Sequence, residues 1–152
     1  MRYKTWALVC DGLRARILRD LEDGNSHDPI ELVSKAKSAH LRDYLSDKAG
    51  RSFASGADGR RSAMEPGSDP VLRDMQDFAH ETLNVLQDHF RQGHLTRLAI
   101  FAAPKMLGVL RRKIPVPLKN AVILESDLNL INLPQADLRT AIIKVLEKER
   151  QT

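Results

Sequence analysis

Apolar positions in this chain follow two rhythms, and the change between them divides the sequence. Thr5-Trp6-Ala7-Leu8-Val9-Cys10 is a short, almost unbroken apolar run, the pattern of a strand buried on both faces. Asp11-Gly12 follows at once as a turn signal. From Arg14 to Leu21 the apolar positions partly alternate, as in a second strand antiparallel to the first. Asp23-Gly24-Asn25 marks another turn, and Ile30 to Ala36 reads as a third strand, completing a meander.

The spacing then lengthens. Asp69-Pro70 pairs an N-cap residue with proline at the first helical position. Leu72, Met75, Phe78, Ala79, Leu83, Leu86 and Phe90 recur at three- and four-residue intervals up to Gly93, so a long helix is predicted between Pro70 and that glycine. Leu95 to Ala102 carries a central-strand run. Pro104 opens a helix to about Lys113, and Pro115 and Pro117 break it. Ala121 to Leu124 is a fifth strand, and Pro134 opens a last helix with Leu138, Ile142, Val145 and Leu146 as its apolar stripe. The order βββ-α-β-α-β-α packs most simply as an α/β fold: a mixed five-stranded sheet with helices on its faces and strand four parallel to strand one. Residues 1–152 carry no repeat or linker and read as a single domain.

One segment fits neither rhythm. From Ser38 to Asp69, about thirty residues show no apolar periodicity, a length at which connections are usually functional or disordered. Gly50, Gly56 and Gly59 punctuate it, and Arg51, Arg60 and Arg61 supply forked cationic donors. Such a loop can form an anion nest from backbone N–H groups with arginines adding bidentate phosphate contacts. Alternatively its arginines pair locally with Asp47, Asp58 and Glu65. Phe53, an aromatic in a polar loop, offers a third use as an oligomer contact.

Composition narrows the classes. A 152-residue chain with 42% hydrophobic and 29% charged residues is a globular domain able to bury a core without disulfides or metals. Cys10, the single cysteine, excludes an intramolecular disulfide and ends an apolar run, so it reads as a buried inert thiol. Only Trp6 to Cys10 follow Arg2 and Lys4 as an apolar stretch, too short for the roughly 7–15 residues of a secretory h-region. Nothing approaches the ~20 residues of a membrane span. A cytoplasmic protein without membrane insertion is expected. The net charge of +4 leaves room for an RNA-facing patch but carries no DNA-specific signal.

Further candidate chemistry is sparse. Lys105 lies in the helix that follows the fourth strand, and ligands of open α/β sheets gather beyond the carboxyl ends of strands. Arg111, Arg112 and Lys113 suit a helix C-terminus. Asp11 ends the first strand and is a weak metal-ligand candidate, with Glu125 or Asp127 as possible partners, but a hairpin turn explains it equally. His27, His40, His80, His89 and His94 show no metal-ligand spacing. No nucleophile-elbow pattern occurs, and no catalytic residue or cofactor is assigned.

The segments T-W-A-L-V-C-D-G-L-R-A-R-I-L, S-D-K-A-G-R-S-F, G-R-R-S-A-M-E-P-G-S-D-P and A-P-K-M-L-G-V-L-R together resemble the bacterial host attachment protein family, from Thr5 to about Leu138. That family is similar in turn to the middle domain of archaeo-eukaryotic class I release factors and to a bacterial release-factor-like group. The resemblance implies a ribonuclease-H-like or ribosomal-protein-like α/β fold. Release factors carry a Gly-Gly-Gln tripeptide in the loop before the long helix. Here that loop reads Gly59-Arg60-Arg61-Ser62, without glutamine, so hydrolysis of peptidyl-tRNA does not carry over. The expected function is a non-enzymatic RNA- or ribosome-associated module that contacts phosphates through Arg51, Gly59, Arg60, Arg61 and Lys105. The alternatives are an interaction or regulatory protein, homo-oligomeric if Phe53 is its contact, that affects attachment indirectly, and a divergent metal-dependent hydrolase.

Overall fold

A computed structural model describes residues 3–23, 28–36 and 69–150. Strand β1 (Thr5–Cys10) is buried at every position, as its unbroken apolar run predicts. It pairs antiparallel with β2 (Arg14–Leu18), which pairs antiparallel with β3 (Ile30–Val33). The second and third strands are shorter than their apolar patterns suggest. Asp20 adopts a φ of 49°, turning the chain after β2 so that the Leu21 amide donates to the Thr5 carbonyl at 2.9 Å. After β3, the Ser34 amide donates to the Leu13 carbonyl at 2.7 Å and not to a strand partner.

Helix α1 (Pro70–Arg91) begins as its cap signals require: Asp69 is extended, with φ −92° and ψ 103°, and its side chain accepts from the Leu72 amide at 3.1 Å. It stops in a Gly93 turn with φ 81°, where the Gly93 amide donates to the Phe90 carbonyl and that of His94 to the His89 carbonyl, both at 3.0 Å. Then follow β4 (Arg97–Ala102), α2 (Pro104–Lys113), a single helical turn α3 (Val116–Lys119), β5 (Val122–Ser126) and α4 (Gln135–Arg150). The turn α3 occupies the stretch expected to be only a break: Pro115 precedes it and Pro117 falls at its start, where a missing N–H costs nothing.

The sheet order is β3-β2-β1-β4-β5, with β1, β4 and β5 mutually parallel. This is the mixed five-stranded α/β sheet expected from the element order. Because β1 and β4 are central, alternate residues face opposite layers. Trp6, Leu8, Cys10, Leu98 and Ile100 pack with Met75, Phe78, Leu83, Leu86, Met106 and Leu110 of α1 and α2. Ala7, Val9, Ala99 and Phe101 pack with Leu138 and Ile142 of α4. Phe78, 2% exposed, and Leu86, fully buried, each contribute about 1.5–3 kcal/mol of apolar transfer to the first layer.

The direction of α1 positions the rest. Its last turn meets the start of β1, where the His89 and Trp6 ring centroids are 5.0 Å apart and Lys4 Nζ donates to the Gly93 carbonyl. Twenty-two helical residues span about 33 Å. Six strand residues span only about 20 Å. The start of α1 therefore stands out past the carboxyl ends of β1 and β4.

Candidate functional site at the carboxyl end of the parallel strands

Beyond the carboxyl end of β1 the chain turns to β2 on one side, and beyond β4 it proceeds toward β5 on the other. The carboxyl ends of parallel strands are where α/β sheets commonly hold ligands. The two connections touch here, where the Ala103 amide donates to the Cys10 carbonyl at 3.3 Å. Helix α2 starts at this edge. Pro104 has no N–H to offer, Ala103 provides no side-chain cap, and Lys105 stands exposed in the first turn.

Asp11 sits at the same edge, but its carboxylate serves the hairpin. One oxygen, Oδ1, accepts from the Leu13 and Arg14 amides at 2.9 Å each, while the Asp11 amide donates to the Arg14 carbonyl at 3.2 Å. Gly12, with φ 100°, supplies the left-handed residue that this turn needs. Glu125 is held by Arg111, whose Nε donates to Oε1. Arg111 thus links α2 to β5 as well as standing near the negative end of its helix. Among the described residues no group of three or more histidine, cysteine, aspartate or glutamate side chains could hold a metal ion. Cys10 lies wholly buried beneath this edge. Burial, with Asp11 adding to it against an opposing hydrogen bond from the Gly12 backbone, pushes its thiol up to about 12. It is a protonated core residue, as the sequence suggests.

The predicted contacts Arg51, Phe53, Gly59, Arg60 and Arg61 lie outside the described residues. The flanks of their segment do not. Ser34 to Ala36 leave the sheet beside Leu13, and the Ala36 amide is held by Ser34 Oγ at 3.1 Å. The chain is described again from Asp69, the cap of α1. Both flanks therefore stand at the carboxyl edge with Lys105, an arrangement that periodicity alone does not disclose.

Three further clusters have no local signal. At the carboxyl edge, on the face opposite α1 and α2, Arg16 Nη1 donates to the Leu133 carbonyl at 2.7 Å and to that of Ile131 at 3.3 Å, while Arg14 donates to Asn132 Oδ1. At the amino end of the strands, Glu22 accepts from the Thr5 amide at 2.7 Å, from the Thr5 hydroxyl, and from Arg97 Nη2 at 3.2 Å. Burial raises the Glu22 carboxyl, but the Thr5 and Arg97 donors outweigh it and hold the group below the usual glutamate range. The Arg97 guanidinium also lies 4.0 Å from the Tyr3 ring centroid. This cluster borders a cleft of about 1130 Å³ whose apolar side is formed by Leu124, Ile143 and Leu146. Behind it, His89 Nδ1 and His94 Nδ1 share a hydrogen bond of 2.8 Å, and Trp6 Nε1 donates to Asp20 at 3.2 Å. The five-residue spacing of the two histidines is not a helical-face interval; the Gly93 turn brings them together.

No helix of the described residues is long and apolar enough to cross a membrane. A family model described as "protein required for attachment to host cells" matches residues 6–142, from β1 into α4. No curated protein matches the chain.

Proposed function

The chain belongs to the host attachment protein family, and from that premise we propose that it is a binding module that engages a phosphate-bearing polymer, RNA as the chemical class, at the carboxyl end of its parallel strands. The observation that carries this reading is convergence. Both flanks of the segment bearing Arg51, Arg60 and Arg61 stand at the edge where Lys105 opens α2. Arginines carried on a segment whose described flanks stand beside an ammonium suit a run of phosphates, which is recognised by charge and geometry and not by a single fixed contact. The two carboxylates nearest to a catalytic arrangement have other partners: Asp11 in its hairpin and Glu125 with Arg111. This supports binding over hydrolysis.

The test is single-stranded RNA binding, together with ribosome co-sedimentation, across a salt series. Wild type is compared with the Arg51/Arg60/Arg61→Ala triple variant and with Lys105→Ala. Each phosphate contact removed should lower the slope of log K against log salt by roughly one. Absence of wild-type binding at low salt would sink the reading. In the contrasting outcome the triple variant binds unchanged while Phe53→Ala alters the particle mass in light scattering, which would assign the segment to a protein contact.

A further inference from the structure

Alternation along β2 sends Ala15 and Ile17 into the α1 layer, and Arg14 and Arg16 to the opposite face. On β3 the register sets Glu31 against Arg16 and Val33 against Arg14. Helix α4 covers that face over β1 and β4, through Ala7, Val9, Ala99 and Phe101. Over β2 and β3 the cover is instead the loop that follows β5, and between that loop and the strands lies a basin of about 280 Å³ lined by Arg14, Arg16, Glu31, Val33 and Asn132. That is roughly the volume of nine waters at ~30 Å³ each. It falls below the range usual for drug-sized ligands, so a small ion with part of its hydration is the scale of occupant it suits.

Its donors are unevenly used. The Arg16 side chain is only 12% exposed, and its Nη1 is committed to the loop carbonyls. Its Nε is shielded from solvent, lies 3.5 Å from Glu31 Oε2 and makes no hydrogen bond among the described residues. A buried guanidinium N–H whose carboxylate neighbour stands too far off for a good hydrogen bond is an unfavourable state that a closer oxygen relieves. Arg14 is exposed, and its side chain makes a single hydrogen bond among the described residues, to Asn132. Its remaining donors are available at the basin's rim. Two guanidinium groups face one carboxylate, so the basin favours an anion. Glu31, with a side chain 58% exposed, can swing toward solvent when that anion arrives.

We propose that this basin binds one phosphate group, with Arg14 as the forked donor, the Asn132 amide as a neutral donor and Arg16 Nε as the buried third. The inference rests on the reading that the carboxyl edge meets phosphates, and adds an anchor on the face opposite Lys105. Glu31 is the competitor that phosphate displaces from Arg16. That competition has a direction a merely structural arginine cluster would not show: neutralising Glu31 should tighten binding.

The experiment follows backbone amide shifts of the full-length protein by NMR during titration with inorganic phosphate, and measures single-stranded RNA affinity of the same variants across salt. The expected result is saturable shifts confined to residues around Arg14, Glu31 and Asn132. Arg14→Ala should weaken phosphate about tenfold or more, since charge-assisted bonds to a fork are lost. Glu31→Gln should tighten it severalfold, and Arg14→Lys should recover part of the loss. Arg14 is a surface residue, and unchanged thermal melting shows that its variants are folded. Phosphate shifts that are absent, or that persist unchanged in Arg14→Ala, overturn the proposal whatever RNA does. Arg14-dependent phosphate shifts uphold it, and the RNA arm then identifies the source. A salt slope reduced by roughly one in Arg14→Ala points to a polymer phosphate. No RNA binding at all leaves a free-phosphate site and removes the polymer reading instead.

Discussion

Replacing Asp11 with alanine removes two acceptor contacts at once, and the size of the loss distinguishes a turn residue from a metal ligand. Oδ1 accepts the Leu13 and Arg14 amides at 2.9 Å each, at a half-buried position. Net hydrogen-bond contributions run about 0.5–1.5 kcal/mol each, and the partial exposure argues against the larger values seen for fully desolvated charges. Asp11→Ala should therefore cost about 1–3 kcal/mol. In a chain of this length each kcal/mol moves Tm by roughly 2–4 °C, so a fall of about 2–12 °C is expected. An asparagine side chain keeps a carbonyl oxygen in the same place and holds an Asx-type turn nearly as well, so Asp11→Asn should lie within about 1 kcal/mol of wild type. The assay is urea and thermal unfolding of the three proteins at neutral pH, with and without Mn²⁺. The reasoning fails if Asp11→Ala is as stable as wild type, or if Asp11→Asn is as damaging as alanine. Mn²⁺ stabilisation of wild type that is lost in Asp11→Asn would restore the hydrolase alternative.

Other consequences follow from the same contacts. Partial burial, the neighbouring His94 and Arg19 lower the His89 pKa, with Asp88 opposing them, so the folded protein resists protonating this ring. Its contribution is present above the unfolded value of ~6.5 and is lost as pH falls through it, so between about pH 7.5 and 5 wild type should lose more stability than His89→Gln in urea melts. Equal slopes would refute that. Glu22 is depressed in the other sense: its stabilisation exists above the ordinary glutamate range and fades as pH falls through the lowered folded value, so Glu22→Gln should flatten the acid limb of the stability profile. Phe78→Ala empties a site 2% exposed between α1 and the sheet and should cost about 3–5 kcal/mol, read from the denaturant midpoint. Gly12→Ala places a Cβ on a residue with φ 100° and should lower stability by about 1–2 kcal/mol. A neutral result would show that the turn readily relaxes.

Local pattern reaches part of the carboxyl-edge arrangement, and its limits are physical. The carboxyl-end position of Lys105 follows from a proline opening a helix directly after a central-strand run. The segment with Arg51, Arg60 and Arg61 stands out because its composition supports no periodicity. The pairing of Arg16 with the carbonyls of Ile131 and Leu133 has no such signature, since the partners are more than a hundred residues away. Arg97 with Glu22, 75 residues apart, and Arg111 with Glu125, 14 apart, have no signature either, because each pair meets only through the packing of separate elements. Long charged side chains satisfy any solvated position equally well, so their spacing does not report their partners.

What residue order alone settled was local. The two-sided burial of β1 and β4, the capped amphipathic α1, the turn at Asp11-Gly12 and the thiol-in-core character of Cys10 are each written within a few adjacent residues, because backbone sterics and side-chain period act over that range. What tertiary structure alone decided was which edge those elements share. The order β3-β2-β1-β4-β5 and the reversal of α1 bring Ala36, Asp69 and Lys105 to one end, and Trp6, His89 and Arg97 to the other. Those meetings depend on how two apolar layers close over a shared sheet, an outcome of the whole packed core and not of any single stretch of chain.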